Sequence, residues 1–531
     1  MIGRRALLAG AGLMLSACGK ERVVTGGFNG ASAGRGHLLR QPSGEATPSV
    51  TRKVDVLIAG GGIAGLSAAR ALRLAGIENY VVLDLEDRVG GNSRGANVGG
   101  IACPMGAHYL PVPGDDAYEV RDFLEEIGIA KRVAGRWTFE ERYLCHSPQE
   151  RLFFNGQWQE GLLPVQGVLP ETIAQYRRFA KLVALEQQRG PWRLPLRGSA
   201  PVLQRPLDTL TFSAWLDREG IEDQRLRWYL DYCCRDDYGA GLGSVSAWAG
   251  IHYFASRHGF QAPGEKSEPD QLLTWPEGNA WLVKRLADPI GDRVQPARVV
   301  MRVAALRHSV SVDAYNAVTK QVERWEAAQC VLALPLFIAA RVLNAPPRAL
   351  SEAAQKMRYA PWVVANVQID RPLHDRPGAP PSWDNVLYGA RSLGYVDAGH
   401  QNLDPLPEPT VLTWYRSLGD VPNGRAQLLS RTWESWRDEV LGELSDPHPD
   451  LRIKAVSIEV ERFGHAMAIP VPGMRTSSAL LALQRAPSGM WRRLHFAHSD
   501  LSGYSVFEEA FTHGLRAGRQ VAQALGRKTA S

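Results

Sequence analysis

Three glycines carry the first chemistry in this chain. In "VDVLIAGGGIAGLSAARAL", Val54 to Leu72, Gly60, Gly62 and Gly65 stand in GxGxxG spacing between an apolar run and a segment of helical periodicity. Gly60 permits a tight turn, Gly62 lets backbone approach a pyrophosphate, and Gly65 allows the following helix to pack closely on the strand. The helix amino end then offers free N–H groups and a positive dipole to phosphate. Nineteen residues beyond Gly65, "NYVVLDLEDRVGGN" sets Asp84 at the end of a second apolar run, where a carboxylate accepts hydrogen bonds from a ribose. Strand, glycine turn, helix, strand and acid together predict a dinucleotide site.

Other chemistries lack their residues. The sequence holds no HExxH, no GxSxG elbow and no paired-Cys metal ligands, and "HFAH", His495 to His498, puts its two histidines on opposite faces of a strand. No metal is expected. The net charge of +6 and pI near 9.0 arise from basic residues scattered among acidic ones, which describes a solvated surface and gives no reason to expect a nucleic-acid partner.

The elements that must position these residues belong to a chain of 531 residues, 45% hydrophobic, long enough for two or more domains. Arg4-Arg5 precede an apolar stretch, Ala6 to Ala17, too short to span a bilayer, which reads as an export signal. "LSAC", Leu15 to Cys18, resembles a lipobox that would leave Cys18 lipid-bearing, and the arginine pair resembles a twin-arginine signal; an ordinary secretory leader is the alternative. These features predict an exported lipoprotein anchored to the membrane and facing the periplasm or cell exterior. Residues 19–52, rich in Gly, Ser and Pro, read as a flexible tether. Beyond Cys18 five cysteines remain, not a complete disulfide framework, and Cys233-Cys234 read as small buried residues.

"VVLDLEDRVGGNSRG" resembles the stretch after the second strand in the flavin-containing amine oxidase family, which includes monoamine and polyamine oxidases and phytoene-desaturase-like enzymes. The resemblance implies that Arg88, Gly90, Gly91 and Arg94 lie along the FAD pyrophosphate, with Asn92 standing where the family usually has arginine. "PMGAHYL", Pro104 to Leu110, looks like the family's segment passing the isoalloxazine ring, which implies flavin contact for Gly106, Ala107 and His108. His108 is read as a pocket wall rather than a catalytic group. "WPEGNAWLVKRLADPIGDRVQPARVVMRV" resembles the segment whose strand, near Val300, meets the adenine, and "AAQCVLALP" the strand that leaves for the substrate domain. In "LHFAHSDLSGYSVFEEAFTHGLRAGRQVAQAL", Asp500 matches the acid that hydrogen-bonds the FAD ribityl or pyrophosphate region. Ala510, Gly514 and Gly518, at four-residue spacing, are read as a small-residue face for the flavin to rest on.

The fold so implied is α/β: a discontinuous Rossmann-like FAD-binding domain (53–114, 271–336 and 456–531) with an α+β substrate domain (115–270 and 337–455). The function implied is hydride transfer from an amine, polyamines included, to non-covalently bound FAD, since no Cys follows Cys330. Electrons would pass to oxygen or an envelope carrier. Tyr504, in "SGY", is a candidate aromatic wall of the active site; His465, in "ERFGHAMAIPVPGM", is a second candidate. Many members of the family have a lysine that reaches flavin N5 through water; "PWVVANVQI" has none, and Asn366 is its nearest polar residue. Two further readings stay open: a desaturase-like flavin dehydrogenase feeding a quinone or carrier, and a non-catalytic flavin-binding envelope protein.

Overall fold

The structure, a computed structural model, describes residues 22–40, 47–264, 271–402 and 408–527. The export signal with Arg4-Arg5 and Cys18 lies outside the described residues. Two sheets organise the rest. The dinucleotide sheet has the order Val294–Gln295, Tyr80–Leu83, Val50–Ala59, Gln321–Leu332, Val310–Asn316, Arg298–Ala305, with Leu494–Phe496 joining Gln321–Leu332 in parallel. Its central strands are parallel and almost wholly apolar (Val56 to Ala59, Tyr80 to Leu83), as strands covered on both faces must be. Helices Ile63–Leu74 and Phe507–Ala524 lie against each other on one face.

The second sheet has eight strands, running from Thr25–Asn29 at one edge through Ala455–Ile469, Arg358–Ile369 and Thr410–Ser417 to Gln157–Glu160 at the other. Helices Pro170–Gln188, Gln224–Tyr238 and Ala247–Ala255 contribute to an aromatic-rich core against one face, and Trp433–Leu444 to a core on the opposite face. Vicinal Cys233 and Cys234 are buried in the first of these cores. Because Ala455–Ile469 pairs with Arg358–Ile369 over most of its length, it belongs to the substrate sheet, and the dinucleotide half resumes after Ile469 rather than at 456.

Two expectations are corrected here. The flexible tether is, over residues 22–40, folded structure: Thr25 to Asn29 pair in parallel with Ser457 to Glu461, and Ser32 caps the short helix Ala33–His37. Composition alone misleads because an open sheet edge supplies hydrogen-bond partners to any extended segment, whatever its side chains. The small-residue face of the last helix has a different use as well. A Cβ on Gly514 would lie 1.9 Å from Ser67 Oγ and one on Gly518 2.6 Å from Ala68 O, so both glycines serve contact with the helix Ile63–Leu74. Ser67 Oγ donates to Phe511 O across the same contact at 2.9 Å.

Gly30 fixes the turn that leads the amino-terminal segment off the sheet edge. Its φ is +90°, and a Cβ there would lie 1.1 Å from Glu461 Oε2. Gly30→Ala should therefore loosen residues 22–40 by about 1 to 3 kcal/mol. Limited proteolysis within that segment should be at least about fivefold faster than in wild type, as 1 kcal/mol of opening free energy requires; equal rates would show that the turn tolerates a side chain.

Candidate active site

The phosphate loop is built from contacts that side chains would block. Gly60 has φ +101°, and its N–H donates to Leu83 O at 2.8 Å. A Cβ on Gly65 would lie 1.8 Å from Gly60 O. Gly62 caps the helix Ile63–Leu74 without a side-chain hydrogen bond, which leaves the first-turn N–H groups for a ligand. The second glycine turn packs directly on the first: Gly90 N–H donates to Gly61 O at 2.8 Å, and a Cβ on Gly91 would lie 3.4 Å from Gly62 Cα. Gly91 and Asn92 are exposed along this groove.

Asp84 holds the loop. Its Oδ2 accepts from Gly61 N–H at 2.7 Å and its Oδ1 from Glu86 N–H at 2.8 Å. Burial pushes its carboxyl up to about 6 despite those two donors. Arg298 N–H donates to Asp84 O at 2.7 Å, which draws the strand Arg298–Ala305, with Val300 buried on it, to the end of the second strand.

The predicted pyrophosphate cations divide. Arg88 is exposed, whereas Arg94 donates through Nε to Gly91 O at 3.1 Å and lies 3.4 Å from Glu461 and 3.8 Å from Glu86. Arg94 is thus held between two carboxylates that the sequence did not associate with it. Burial pushes Glu461 up to about 8. Asn92 bridges to the other sheet, its amide donating to Ala466 O at 2.5 Å.

Asp500 is buried where the last segment meets the loop after Pro335. Its Oδ2 accepts from Leu336 N–H at 2.9 Å and from the Tyr359 hydroxyl at 2.5 Å. Oδ1 lies 3.1 Å from His498 Nδ1 but accepts no well-formed hydrogen bond. Burial alone would raise this carboxyl; His498, Tyr359 and Leu336 together hold it below its usual range. A side-chain-free groove, an uncapped helix start, a ribose-type carboxylate and a buried carboxylate oxygen in want of a donor fit FAD. Gly60, Gly62, Gly65, Asp84, Gly90, Gly91 and Asp500 would hold it.

Beyond the groove, Gly106, Ala107, His108 and Tyr109 are half-buried. Ala107 N–H donates to Asn92 O at 2.8 Å, and a Cβ on Gly106 would lie 2.3 Å from that same oxygen. His108 stacks on Tyr415 with centroids 4.5 Å apart and lies 5.5 Å from the Trp383 ring; the Tyr415 hydroxyl donates to Gly106 O at 3.1 Å. Burial lowers His108 to about 4, so it is neutral at pH 7 and forms a wall. Behind this wall Tyr109 donates to Asp236 at 3.4 Å. Burial and neighbouring Asp237 push Asp236 up to about 7, and burial with Asp236 and Glu150 raises Asp384 well above the carboxylate range.

The three catalytic candidates from sequence lie elsewhere. Tyr504 is buried in the helical core against Tyr238 and His252, its hydroxyl donating to Glu509 at 2.7 Å, and so presents no wall to a substrate. Asn366 is buried as a brace, donating to Pro104 O at 3.1 Å and accepting from Thr413 at 2.7 Å. His465 is exposed and packs on Phe337 and Tyr359, on the Asp500 side. Ala510 is half-buried in the first turns of the last helix. Sequence reading missed Trp383, Tyr415, Asp236 and Asp384. Of the four, only Asp236 lies in a stretch with a visible signal, the Trp- and Tyr-rich residues 228–254.

Asp84→Ala would strip two backbone donors of their acceptor and remove a ribose partner. FAD retention should fall by about 1.5 to 3 kcal/mol, the range for a hydrogen bond to a charged group. Flavin absorbance per polypeptide after gel filtration measures this, and undiminished occupancy would remove Asp84 from the site.

Residues 63–522 match the family described as flavin containing amine oxidoreductase. Flavin-containing amine oxidase B of Bos taurus is 23% identical over 304 residues, covering 56% of this chain and 53% of that protein, so the chain spans about half the length of the curated relatives it matches. Among solved structures, cyclohexylamine oxidase from Brevibacterium oxydans IH-35A superposes with a TM-score of 0.65 at 18% identity, covering 90% of this chain and 100% of that one. A putrescine oxidase bound to putrescine gives 0.64 at 18% identity, covering 90% and 99%. The chain belongs to the flavin-containing amine oxidoreductase family, with FAD as its cofactor.

Proposed function

We propose that this protein is an FAD-dependent oxidoreductase that oxidises an amine carrying a second cationic group. The observation that carries the reading is the pair Asp236 and Asp384 behind the aromatic wall of His108, Tyr109, Trp383 and Tyr415. Family membership supports it, as do two neighbours of the same fold named for putrescine and cyclohexylamine. When bound, FAD supplies the two-electron acceptor. The protein's own residues do the rest. Aromatic faces bind an alkyl stem and a cation by the ring quadrupole, and they exclude water. Neutral His108 adds no charge to repel an ammonium group. Asp236 and Asp384, once ionised, draw the distal cation inward and so orient the carbon to be oxidised.

A dehydrogenase reading has one observation in its favour. The strand Arg358–Ile369 contains no lysine, and Asn366 is committed to bracing Pro104 and Thr413, so no side-chain amine from that strand serves oxygen. Electrons would then leave to an envelope carrier. Arg4-Arg5 and Cys18 support export and lipid anchoring of the enzyme, with its active site on the periplasmic or outer side.

Anaerobic mixing with diamines and with monoamines of equal length tests the reading. Diamines should bleach the flavin band at lower concentration; a yellow protein that no amine bleaches would remove it. Fast return of colour in air marks an oxidase, and slow return a dehydrogenase. A second test concerns pH. Asp236 has its carboxyl raised to about 7, so it is neutral below that value and attracts cations only above it. For a diamine kcat/KM should rise through pH 7, and in Asp236→Asn it should be about tenfold to a hundredfold lower with that rise lost, as removal of a charged hydrogen-bond partner implies. The same pH profile in wild type and variant would show that Asp236 does not meet the substrate.

A further inference from the structure

Residues 30–40 lie ahead of the stretch shared with the family, which starts at Ile63, yet their contacts fall on both sides of the dinucleotide groove. On one side stands the turn just beyond Asp84. Ser32 N–H donates to the Glu86 carboxylate at 3.0 Å, and Arg35 donates to Leu85 O at 3.1 Å and pairs with Asp87 at 2.8 Å. On the other side stands the loop that ends in Leu336, whose N–H donates to Asp500. This loop crowds the phosphate turn, since a Cβ on Gly60 would lie 2.3 Å from Ala333 O and 3.3 Å from Leu334 Cδ2. Leu39 is buried in one apolar cluster with Leu336, Leu83 and Ala59, and its carbonyl accepts from Arg341 in the helix Leu336–Val342. One short segment therefore runs from the wall that carries Asp84 to the wall that holds Asp500.

Between those walls the segment reaches the second glycine turn through Arg94. Arg94 Nε donates to Gly91 O, and its guanidinium group lies between Glu86 and Glu461. Both carboxylates are shared with the segment, Glu86 by Ser32 N–H and Glu461 by Ala31 N–H at 2.5 Å. The two ends of the segment are held unequally. Gly30, at φ +90°, follows the strand Thr25–Asn29, which is paired along the sheet edge. At the other end Arg40 is exposed and forms no ion pair among the described residues. His37 stands beside Arg40 and Arg425, and burial and then those two cations lower its pKa, so charge gives this end no hold. A segment hinged at Gly30, latched through Ala31, Ser32 and Arg35, and anchored beyond them chiefly by Leu39 can lift without disturbing either sheet.

We propose that residues 30–40 are a strap across the FAD groove, and that the cofactor enters and leaves when the strap lifts. Closing it costs conformational entropy, which the latch bonds and the burial of Leu39 offset. A cofactor that fixes the two walls in place gives the strap a firmer seat, so retention is mutual: a strap that holds FAD is by linkage held by FAD.

Hydrogen exchange and flavin release from the full chain test this. In wild type the amides of residues 30–40 should exchange at least about tenfold more slowly with FAD bound than after FAD is stripped, and those of the strand Thr25–Asn29 should change less. Gly30→Ala combined with Arg35→Glu strains the hinge and sets a like charge beside Asp87. On dilution this variant should release FAD at least about tenfold faster, read from the rise of free-flavin fluorescence, because release through an open state follows the population of that state. Arg35→Gln alone, which keeps the hinge, should move release in the same direction by a smaller factor and serves where the double variant does not load FAD. Strap exchange indifferent to FAD, an equal change in Thr25–Asn29, or unchanged release from the variants would overturn the proposal. Neither readout involves an amine, so the outcome is separate from that of the amine reading.

Discussion

Everything at the cofactor side depends on one close approach, that of the Gly60–Gly65 turn to the Gly90–Gly91 turn. Gly61 serves both: its N–H goes to Asp84 Oδ2 and its carbonyl accepts from Gly90 N–H. A side chain at Gly61 would collide with its neighbours, its Cβ lying 2.5 Å from Val89 Cγ1 and 2.9 Å from Asp84 Oδ2, and Gly90 and Gly91 hold φ of +124° and +57°, which side chains rarely adopt. Asp84 is costly to bury, and its raised carboxyl records that cost. The cost is met by two backbone donors that would otherwise be orphaned, so acid and loop require each other. Helix direction, groove shape and the position of Asn92 follow from that pairing.

Polar bridges tie the second sheet to this loop, beside an apolar cluster that joins Ala468 of that sheet with Leu57, Ala59 and Leu83 of the first. Asn92 reaches Ala466, and Arg94 spans Glu86 and Glu461. The amino-terminal segment adds another tie. Ala31 N–H donates to Glu461 at 2.5 Å, Ser32 N–H to Glu86 at 3.0 Å, and Arg35 pairs with Asp87 at 2.8 Å. Arg341 donates to Leu39 O beyond it. Residues 30–40 thus join both halves of the molecule beside the second strand's end, where ordering them gives back the conformational entropy cost through several charge-assisted bonds.

The dinucleotide half was legible because its signals are local. Gly60, Gly62, Gly65 and Asp84 lie within one βαβ unit, and their types are dictated by sterics and by one ribose-type contact. What the sequence hid depends on register between distant strands. Nothing in "ERFGHAMAI" tells that Glu461 meets Arg94, and nothing near Pro104 tells that Tyr415 donates to Gly106 O. Tyr504 misled for the opposite reason: a local motif resembled a site, while a buried Glu509 five residues on claimed its hydroxyl. Gly514 and Gly518 misled because small residues on a helix serve helix contact and ligand contact alike. The amino-terminal strand was invisible because parallel pairing to Ser457–Glu461 asks for extended backbone and hardly for side chains.

The helix Gln224–Tyr238 shows how one element separates two opposite chemistries. Successive residues on a helix point about 100° apart, so neighbours in sequence face different surroundings. Arg235 lines an outer pocket, Asp236 meets Tyr109 inside, and Asp237 pairs with Arg257 at 2.9 Å. Burial and Asp237 raise the Asp236 carboxyl, and the Arg257 charge beside them works against that rise. Arg257 neutralises one acid and leaves the other near 7, where it can change charge under working conditions. Asp236 therefore faces Tyr109 within the substrate half, while Arg235, one residue before it, faces the outer pocket.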